Sequence, residues 1–254
     1  MSDPVLDTLV QMTRTLGQPH MNYVIIGEGN TSCTIDDTAF WIKASGQQMH
    51  NIEGGGFVAV QFAPILDLLA HPPDSMTEQK AIMKAAKVDA ESPLLPSVEV
   101  GFHAMLLHDC GVPFVGHTHP VAVNQVMCST RAEDFAKKRM FPDEVVLCGP
   151  ESVFVPYIDP GLPLALVMRE KVRAYMETNG EAPKVILMQN HGVIALGQTP
   201  TEILNIMAMV VKAAAIFVGA CTVGGPVFMT QDDVWHIYKR PDEIYRRARF
   251  VREG

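Results

Sequence analysis

The sequence predicts an α/β protein: one mixed sheet with helices on its faces, in a single domain over residues 1–254. Three observations carry this. Strand-like segments occur in two settings, some joined by tight turns and others separated by helix-length stretches, which does not fit a purely parallel doubly wound sheet. The chain is 48% hydrophobic and 19% charged over 254 residues, enough to bury a substantial core. No Ser/Gly/Pro tract divides it into regions of different composition.

Asp3 followed by Pro4 caps a first helix running towards Gly17, with Val5, Leu9, Met12 and Leu16 at helical spacing. A Gly/Asn-rich segment at 27–30 leads into strands at 32–35 and 38–43, with Asp36-Asp37 as their turn. A loop at 45–56 precedes a strand at 57–61, and Ser75 with Glu78 forms a capping box for the next helix. Another helix opens at Ser97, with Val98, Phe102, Met105 and Leu106 on its buried side and Glu99 and His103 one turn apart. From Pro113 strand and helix alternate: strand 114–119, helix 121–128, strands around Val145 and Val153, helix 162–178 and strand 184–189. A turn at Asn190-His191-Gly192 and a strand at 193–196 follow. Thr199-Pro200-Thr201-Glu202 starts a helix whose run at 203–223 is apolar enough to raise the question of a membrane span. Asn205 and Lys212 interrupt that run, so a buried helix is expected. Further helices close the chain.

A net charge of -8 and a pI near 5.5 argue against a nucleic-acid partner, and the one basic run, Arg246, Arg247 and Arg249, suits a solvated helix face. The five cysteines, Cys33, Cys110, Cys128, Cys148 and Cys221, form no CxxC pair; they are expected to be reduced, small core residues. Nothing near the N-terminus resembles a signal peptide, which makes the cytoplasm the expected compartment, with no membrane partner.

The sharpest chemical feature is Gly116-His117-Thr118-His119-Pro120 at a strand end, because residues two apart in a strand point to the same side and can offer two imidazoles to one ion. With nine histidines, an HxH pair arises by chance in roughly three such chains out of ten. A third histidine, His191, lies in a turn between two strands, where chain reversal puts a side chain at a sheet end. Three neutral histidines with an open fourth position make a catalytic zinc site; surface or core histidines are the competing reading. Glu99 is a carboxylate in an otherwise apolar segment. It is either a capping charge at a helix start or an acid/base, a role that calls for an elevated pKa. Asn30, Thr31, Ser45, Gly46 and Ser97 are small polar residues at turns and a helix start, suited to binding an anion or simply to capping. Gly27-x-Gly29 lacks the third glycine of a dinucleotide fingerprint, and no Walker A or nucleophile-elbow pattern occurs.

Taken in order, GEGNTS at 27–32, KASG at 43–46, PSVE at 96–99, GHTHP at 116–120, VPYIDPG at 155–161 and QNHGVIALG at 189–197 resemble the class II aldolase/adducin-head family from about Pro4 to Val223, with the tail 226–254 weakly matched. The resemblance implies a three-layer α/β/α fold with a largely antiparallel central sheet. It also implies zinc held by His117, His119 and His191 (manganese, cobalt and iron being other imidazole-accepting ions), and Glu99 as acid/base. Asn30, Ser45, Gly46 and Ser97 match positions lining the family's phosphate pocket. The implied activity is reversible retro-aldol cleavage of a small sugar phosphate or related ketose through a zinc-stabilised enediolate, by a homotetramer with sites at subunit junctions. A decarboxylase, dehydratase or epimerase on the same scaffold, or an adducin-like interaction module, are the alternatives. Two departures stand out. Val98 replaces a second serine of fuculose-phosphate aldolases. The stretch from Arg139 to Pro142 contains Phe141 where those enzymes place a tyrosine acid, which leaves Tyr238 or Tyr245 as residues that could reach a neighbouring subunit and Tyr157 as a structural turn residue.

Overall fold

The structure, a computed structural model, describes residues 3–252. Its strands are β1 (Asn30–Thr34), β2 (Ala39–Lys43), β3 (Phe57–Gln61), β4 (Phe114–Thr118), β5 (Val153–Val155), β6 (Val185–Met188) and β7 (Gly192–Gly197). They form one sheet in the order β3-β2-β1-β4-β7-β6-β5. Every neighbouring pair is antiparallel except β5 with β6. The sheet is therefore mixed and largely antiparallel.

The helices are α1 (Pro4–Leu16), α2 (Phe62–Ala70), α3 (Met76–Ala85), α4 (Val100–Asp109), α5 (Val121–Met127), α6 (Ala132–Lys137), α7 (Pro142–Cys148), α8 (Leu162–Asn179), α9 (Pro200–Thr222), α10 (Gln231–Lys239) and α11 (Pro241–Arg252). Strand alternation divides the core into two apolar layers, one per sheet face. Ile186, Met188, Ile194 and Leu196 pack with α2, α4 and α8. Val185, Leu187, Val193 and Ala195 pack with α1, α5 and α9. Among the described residues, α9 is the one helix long and apolar enough to cross a membrane. It lays Ile203, Ile206, Met207, Val210, Ala214 and Phe217 into the second layer, as a core helix does.

Local chemistry sets the helix starts. Asp3 Oδ1 accepts from the N–H groups of Val5 and Leu6, Ser75 Oγ from that of Glu78, and Thr199 Oγ1 from that of Glu202. The Asp36 carboxylate closes the β1–β2 turn by accepting from the N–H groups of Thr38 and Ala39.

Several expectations are corrected. The segment around Val145 is helical, because Pro142 at the first helical position and Asp143 and Glu144 in the first turn favour a helix start that outweighs the Val-Val-Leu run. α4 opens at Val100, since Ser97 to Glu99 form a turn with Val100 N–H donating to Ser97 O. Val98 consequently points outward and is 61% exposed instead of lying on the buried side. The short helices α2 and α6 carry no side-chain cap and were not foreseen. Cys128 and Cys221 are exposed, whereas Cys33 and Cys148 are buried; all five cysteines are free thiols. Within the basic run, Arg247 turns inward, donating to Tyr238 O at 2.8 Å and stacking over the Tyr238 ring.

Close packing at the end of α1 steadies the loops near the chemistry. A Cβ on Gly17 would stand 2.5 Å from His50 N and 2.6 Å from the carbonyl carbon of Met49, both main-chain atoms that cannot step aside independently. Gly17→Ala is expected to destabilise the protein by about 1–3 kcal/mol through overpacking, read as a lower urea midpoint. An unchanged midpoint would show that this contact is looser than the structure has it.

Candidate metal centre

The antiparallel pairing of β4 with β7 and of β6 with β7 builds the site. His117 lies on β4 opposite Ile194 on one side and Asn30 of β1 on the other, on the sheet face that α4 covers. His119 follows at the strand end. His191 sits in the β6–β7 turn, where Asn190 adopts the left-handed conformation (φ 54°) and Met188 pairs with Gly192. The close pass of β4 over β7 requires glycine at 192: a Cβ there would stand 2.5 Å from Thr118 O and 2.7 Å from His119 Cδ2.

The three imidazoles converge. Their rings meet edge-on, with centroids 4.7, 5.1 and 5.0 Å apart, and one nitrogen from each lies within 4.8 Å of the others. Fully buried His117 donates from Nδ1 to Val193 O at 3.0 Å, which leaves Nε2 with a lone pair. That nitrogen faces His119 Nε2 at 3.0 Å. Two nitrogens so placed suit one tetrahedral ion, for which bonds of about 2.0–2.1 Å put ligands roughly 3.3 Å apart. The donor set fits the metal that the sequence implies. Burial lowers the pKa of His117 and, with the neighbouring imidazoles, brings that of His119 to about 3, so both are neutral, the form that binds a metal.

Glu99 reaches the same point from the turn before α4. Its Oε1 is 3.2 Å from His191 Nε2 and its Oε2 3.4 Å from His117 Nε2. Burial opposes its charge, yet the imidazoles of His117 and His191 and the Asn30 amide hold its carboxyl well below the usual carboxylate range. The elevated pKa anticipated for an acid/base is thus not what the site shows: Glu99 stands as a carboxylate, poised first as a base.

Its support is a chain of buried groups. Asn30 Nδ2 donates to Glu99 Oε2 (2.7 Å) and to Ser97 Oγ (3.0 Å). Asn30 Oδ1 therefore accepts from His103 Nε2–H, and His103 Nδ1 accepts from the Ser32 hydroxyl at 2.6 Å. Burial pushes His103 down to about 3, consistent with that neutral tautomer.

Of the residues read as an anion pocket, Ser45, Gly46 and Ser97 come together: Ala44 bridges Pro96, and Ser45 N–H donates to Leu95 O at 2.9 Å. Ser45 and Gly46 are exposed. The Asn30 side chain is committed to Ser97, Glu99 and His103. Thr31 points through the opposite face, its hydroxyl 2.5 Å from that of Thr13 on α1, because neighbouring strand residues alternate faces. Tyr157 bonds Asp159 and Tyr238 bonds Glu181, while Tyr245 is exposed.

The sequence reading passed over Glu28, whose Oε1 is 4.0 Å from His119 Nδ1, Lys43, buried beside the pocket, and Ser32. A lone charge between two glycines and a lysine ending an apolar strand were the available signals. A cavity of about 960 Å³ beside the β3 edge includes none of the three histidines in its lining.

Two outcomes follow from this geometry. Gly192→Ala is expected to cost about 1–3 kcal/mol and to weaken zinc uptake, measured by denaturation and by chelator competition; wild-type values on both would contradict the close β4–β7 approach. The unfolded chain protonates its histidines near 6.5, whereas His103 and His119 resist protonation down to about 3. The unfolded state thus binds more protons across that window, so stability of the metal-free protein falls as pH drops from about 6.5 towards about 3. The lowered Glu99 pKa acts in the same sense at the acid end. Urea midpoints that stay level from pH 7 to pH 4 would contradict this.

Comparison with known proteins bears on the family and the fold. The chain is 26% identical over 183 residues to the uncharacterized oxidoreductase YuxG of Bacillus subtilis, a match covering 68% of this chain and 24% of that protein's length. Among solved structures it is similar to an L-fuculose 1-phosphate aldolase (TM-score 0.69, 17% identity, 94% of this chain and 96% of the other). It is also similar to YgbL of Escherichia coli, described as a putative aldolase/epimerase/decarboxylase (TM-score 0.64, 16% identity, 92% and 98% covered). The sequence model described as the class II aldolase and adducin N-terminal domain matches residues 7–218, and the chain belongs to that family.

Proposed function

We propose that this protein is a metal-dependent lyase that cleaves a carbon–carbon bond in a small ketose or sugar phosphate by a reversible retro-aldol reaction. The observation that carries the reading is the meeting of three imidazoles and one buried carboxylate at a single point. His117, His119 and His191 hold the ion, zinc before manganese, cobalt or iron. When bound, the ion supplies Lewis acidity to the substrate carbonyl. The Glu99 carboxylate takes the proton of the hydroxyl on the carbon that becomes the aldehyde. As the carbon–carbon bond breaks, its electron pair stays on the other fragment as an enediolate, and Glu99 returns the proton to that fragment's carbon. Asn30, fixed by His103, aims the carboxylate, and Ser45, Gly46 and Ser97 receive the substrate's anionic end.

The same groups suit a decarboxylase, dehydratase or epimerase, and the similarity to YgbL keeps these in view. A dehydrogenase is disfavoured: the glycine segment lacks the dinucleotide fingerprint, and only β5 and β6 run parallel among the described strands. An adducin-like interaction module has no use for a buried carboxylate facing three imidazoles. We place the enzyme in the cytoplasm as a homotetramer, in keeping with its free thiols.

Screening phosphorylated ketoses and four-carbon keto acids for aldehyde or carbon dioxide release tests the reaction class. With a substrate in hand, Glu99→Gln in zinc-loaded protein is expected to lower kcat by about 10²–10⁴. Unchanged turnover in that variant would remove Glu99 from the chemistry.

A further inference from the structure

His119 Nε2 lies 3.0 Å from His117 Nε2, and two states of His119 share that distance. With its proton on Nε2, His119 donates to the His117 lone pair, and the hydrogen bond closes the site to a cation. With the proton on Nδ1, both Nε2 lone pairs are free for one ion, since His117 already spends its own proton on Val193 O. An acceptor for His119 Nδ1–H therefore decides whether the site is open.

Glu28 is placed to be that acceptor. Its Oε1 stands 4.0 Å from His119 Nδ1 and has no hydrogen-bond partner among the described residues, while its Oε2 accepts from Ile25 N–H at 3.0 Å. The segment that carries Glu28 is laced to the strand end that carries His119: His119 N–H donates to Tyr23 O at 2.9 Å and Val121 N–H to Asn22 O at 3.1 Å. Gly29 runs so close to β4 that a Cβ there would stand 2.7 Å from His117 O. Lys43 holds the other flank, its Nζ donating to Gly27 O at 3.4 Å and to Gln47 O at 2.7 Å. Within the segment Ile26, a β-branched residue, takes a left-handed conformation (φ 53°), and Glu28 closes the turn around it with its N–H on Ile25 O at 3.1 Å. Strain of that kind persists only where the surroundings over-determine it. The Glu28 side chain is 39% exposed, so it is free to move the further distance of about 1 Å that a hydrogen bond to Nδ1 requires.

We propose that Glu28 is a positioning residue of the metal centre: its Oε1 accepts from His119 Nδ1–H, selects the tautomer whose Nε2 is open, and thereby raises metal affinity. This role rests on the reading that the three histidines hold an ion and is independent of which bond is cleaved. An acceptor on the second nitrogen of a metal-binding histidine fixes the ring and makes the ligating nitrogen more basic. His117 has such an acceptor in Val193 O. Glu28 gives His119 its counterpart, with a negative charge that adds to the attraction of a divalent cation.

Glu28→Gln separates this role from a merely structural one. Its amide oxygen still accepts from Ile25 N–H and keeps the turn, but its amide nitrogen then faces His119 Nδ1 and favours the closed tautomer. The test is zinc affinity of the full-length protein by chelator competition, wild type beside Glu28→Gln, together with histidine nitrogen NMR of both proteins without metal, which reads the tautomer directly. The expected result is that Glu28→Gln keeps the wild-type urea midpoint, binds zinc about ten- to a hundredfold more weakly, and moves the His119 proton from Nδ1 to Nε2. Wild-type zinc affinity in Glu28→Gln, the same tautomer in both proteins, or a wild-type His119 protonated on Nε2 each overturns the proposal and leaves the metal reading standing. A wild type that binds no zinc overturns the metal reading, and the proposal with it. If Glu28→Gln does not fold, the His119 tautomer of the wild type decides.

Discussion

Two imidazole nitrogens, His117 Nε2 and His119 Nε2, face one another at 3.0 Å in a largely buried site, and much of the surrounding structure serves to hold them there. The His117 lone pair can accept from His119 Nε2–H in one tautomer of His119 or share a cation with the His119 lone pair in the other. The antiparallel ladder imposes this approach. β4 is pinned between β1 and β7, the Val193 carbonyl fixes the His117 ring, and the bare main chain at Gly192 lets His191 complete the triangle. The carboxylate of Glu99 on the same point adds the charge that favours a cation there.

A second layer of order runs away from that point. Ser32, His103, Asn30 and Glu99 form a buried chain in which each hydrogen bond fixes the donor or acceptor role of the next. Asn30 and Ser32 share a strand face because they are two residues apart, and that face is the one covered by α4, with His103, and by the turn before it, with Glu99. The result is a carboxylate held by the scaffold, with the exposed Ser45-Gly46 turn at its edge. Such a division, held reacting groups and an open receiving edge, suits a small polar substrate that must enter and leave.

Much of this was legible in the sequence because its signals are local. The spacing His117-x-His119, the turn at Asn190-His191-Gly192 and the caps at Asp3, Ser75 and Thr199 each depend on residues a few positions apart. What escaped depends on distance in the fold. Thr31 and Asn30 are sequence neighbours, yet the pleat sends one to α1 and the other to Glu99. The direction of the Glu99 pKa shift is set by His117, His191 and Asn30, none of them near it in the chain. The helix around Val145 looked like a strand because three apolar residues in a row carry no period, and Lys43 gave no sign of its burial or of carbonyl partners on both flanking segments.

The central claim, that the imidazole triangle exists to hold a metal ion, is tested most directly by elemental analysis of the purified protein beside His119→Ala. The account predicts near-stoichiometric divalent metal in the wild type and its loss in the variant, with the fold retained. A wild type that carries no metal even after zinc is supplied, or a variant that keeps its full complement, would contradict it.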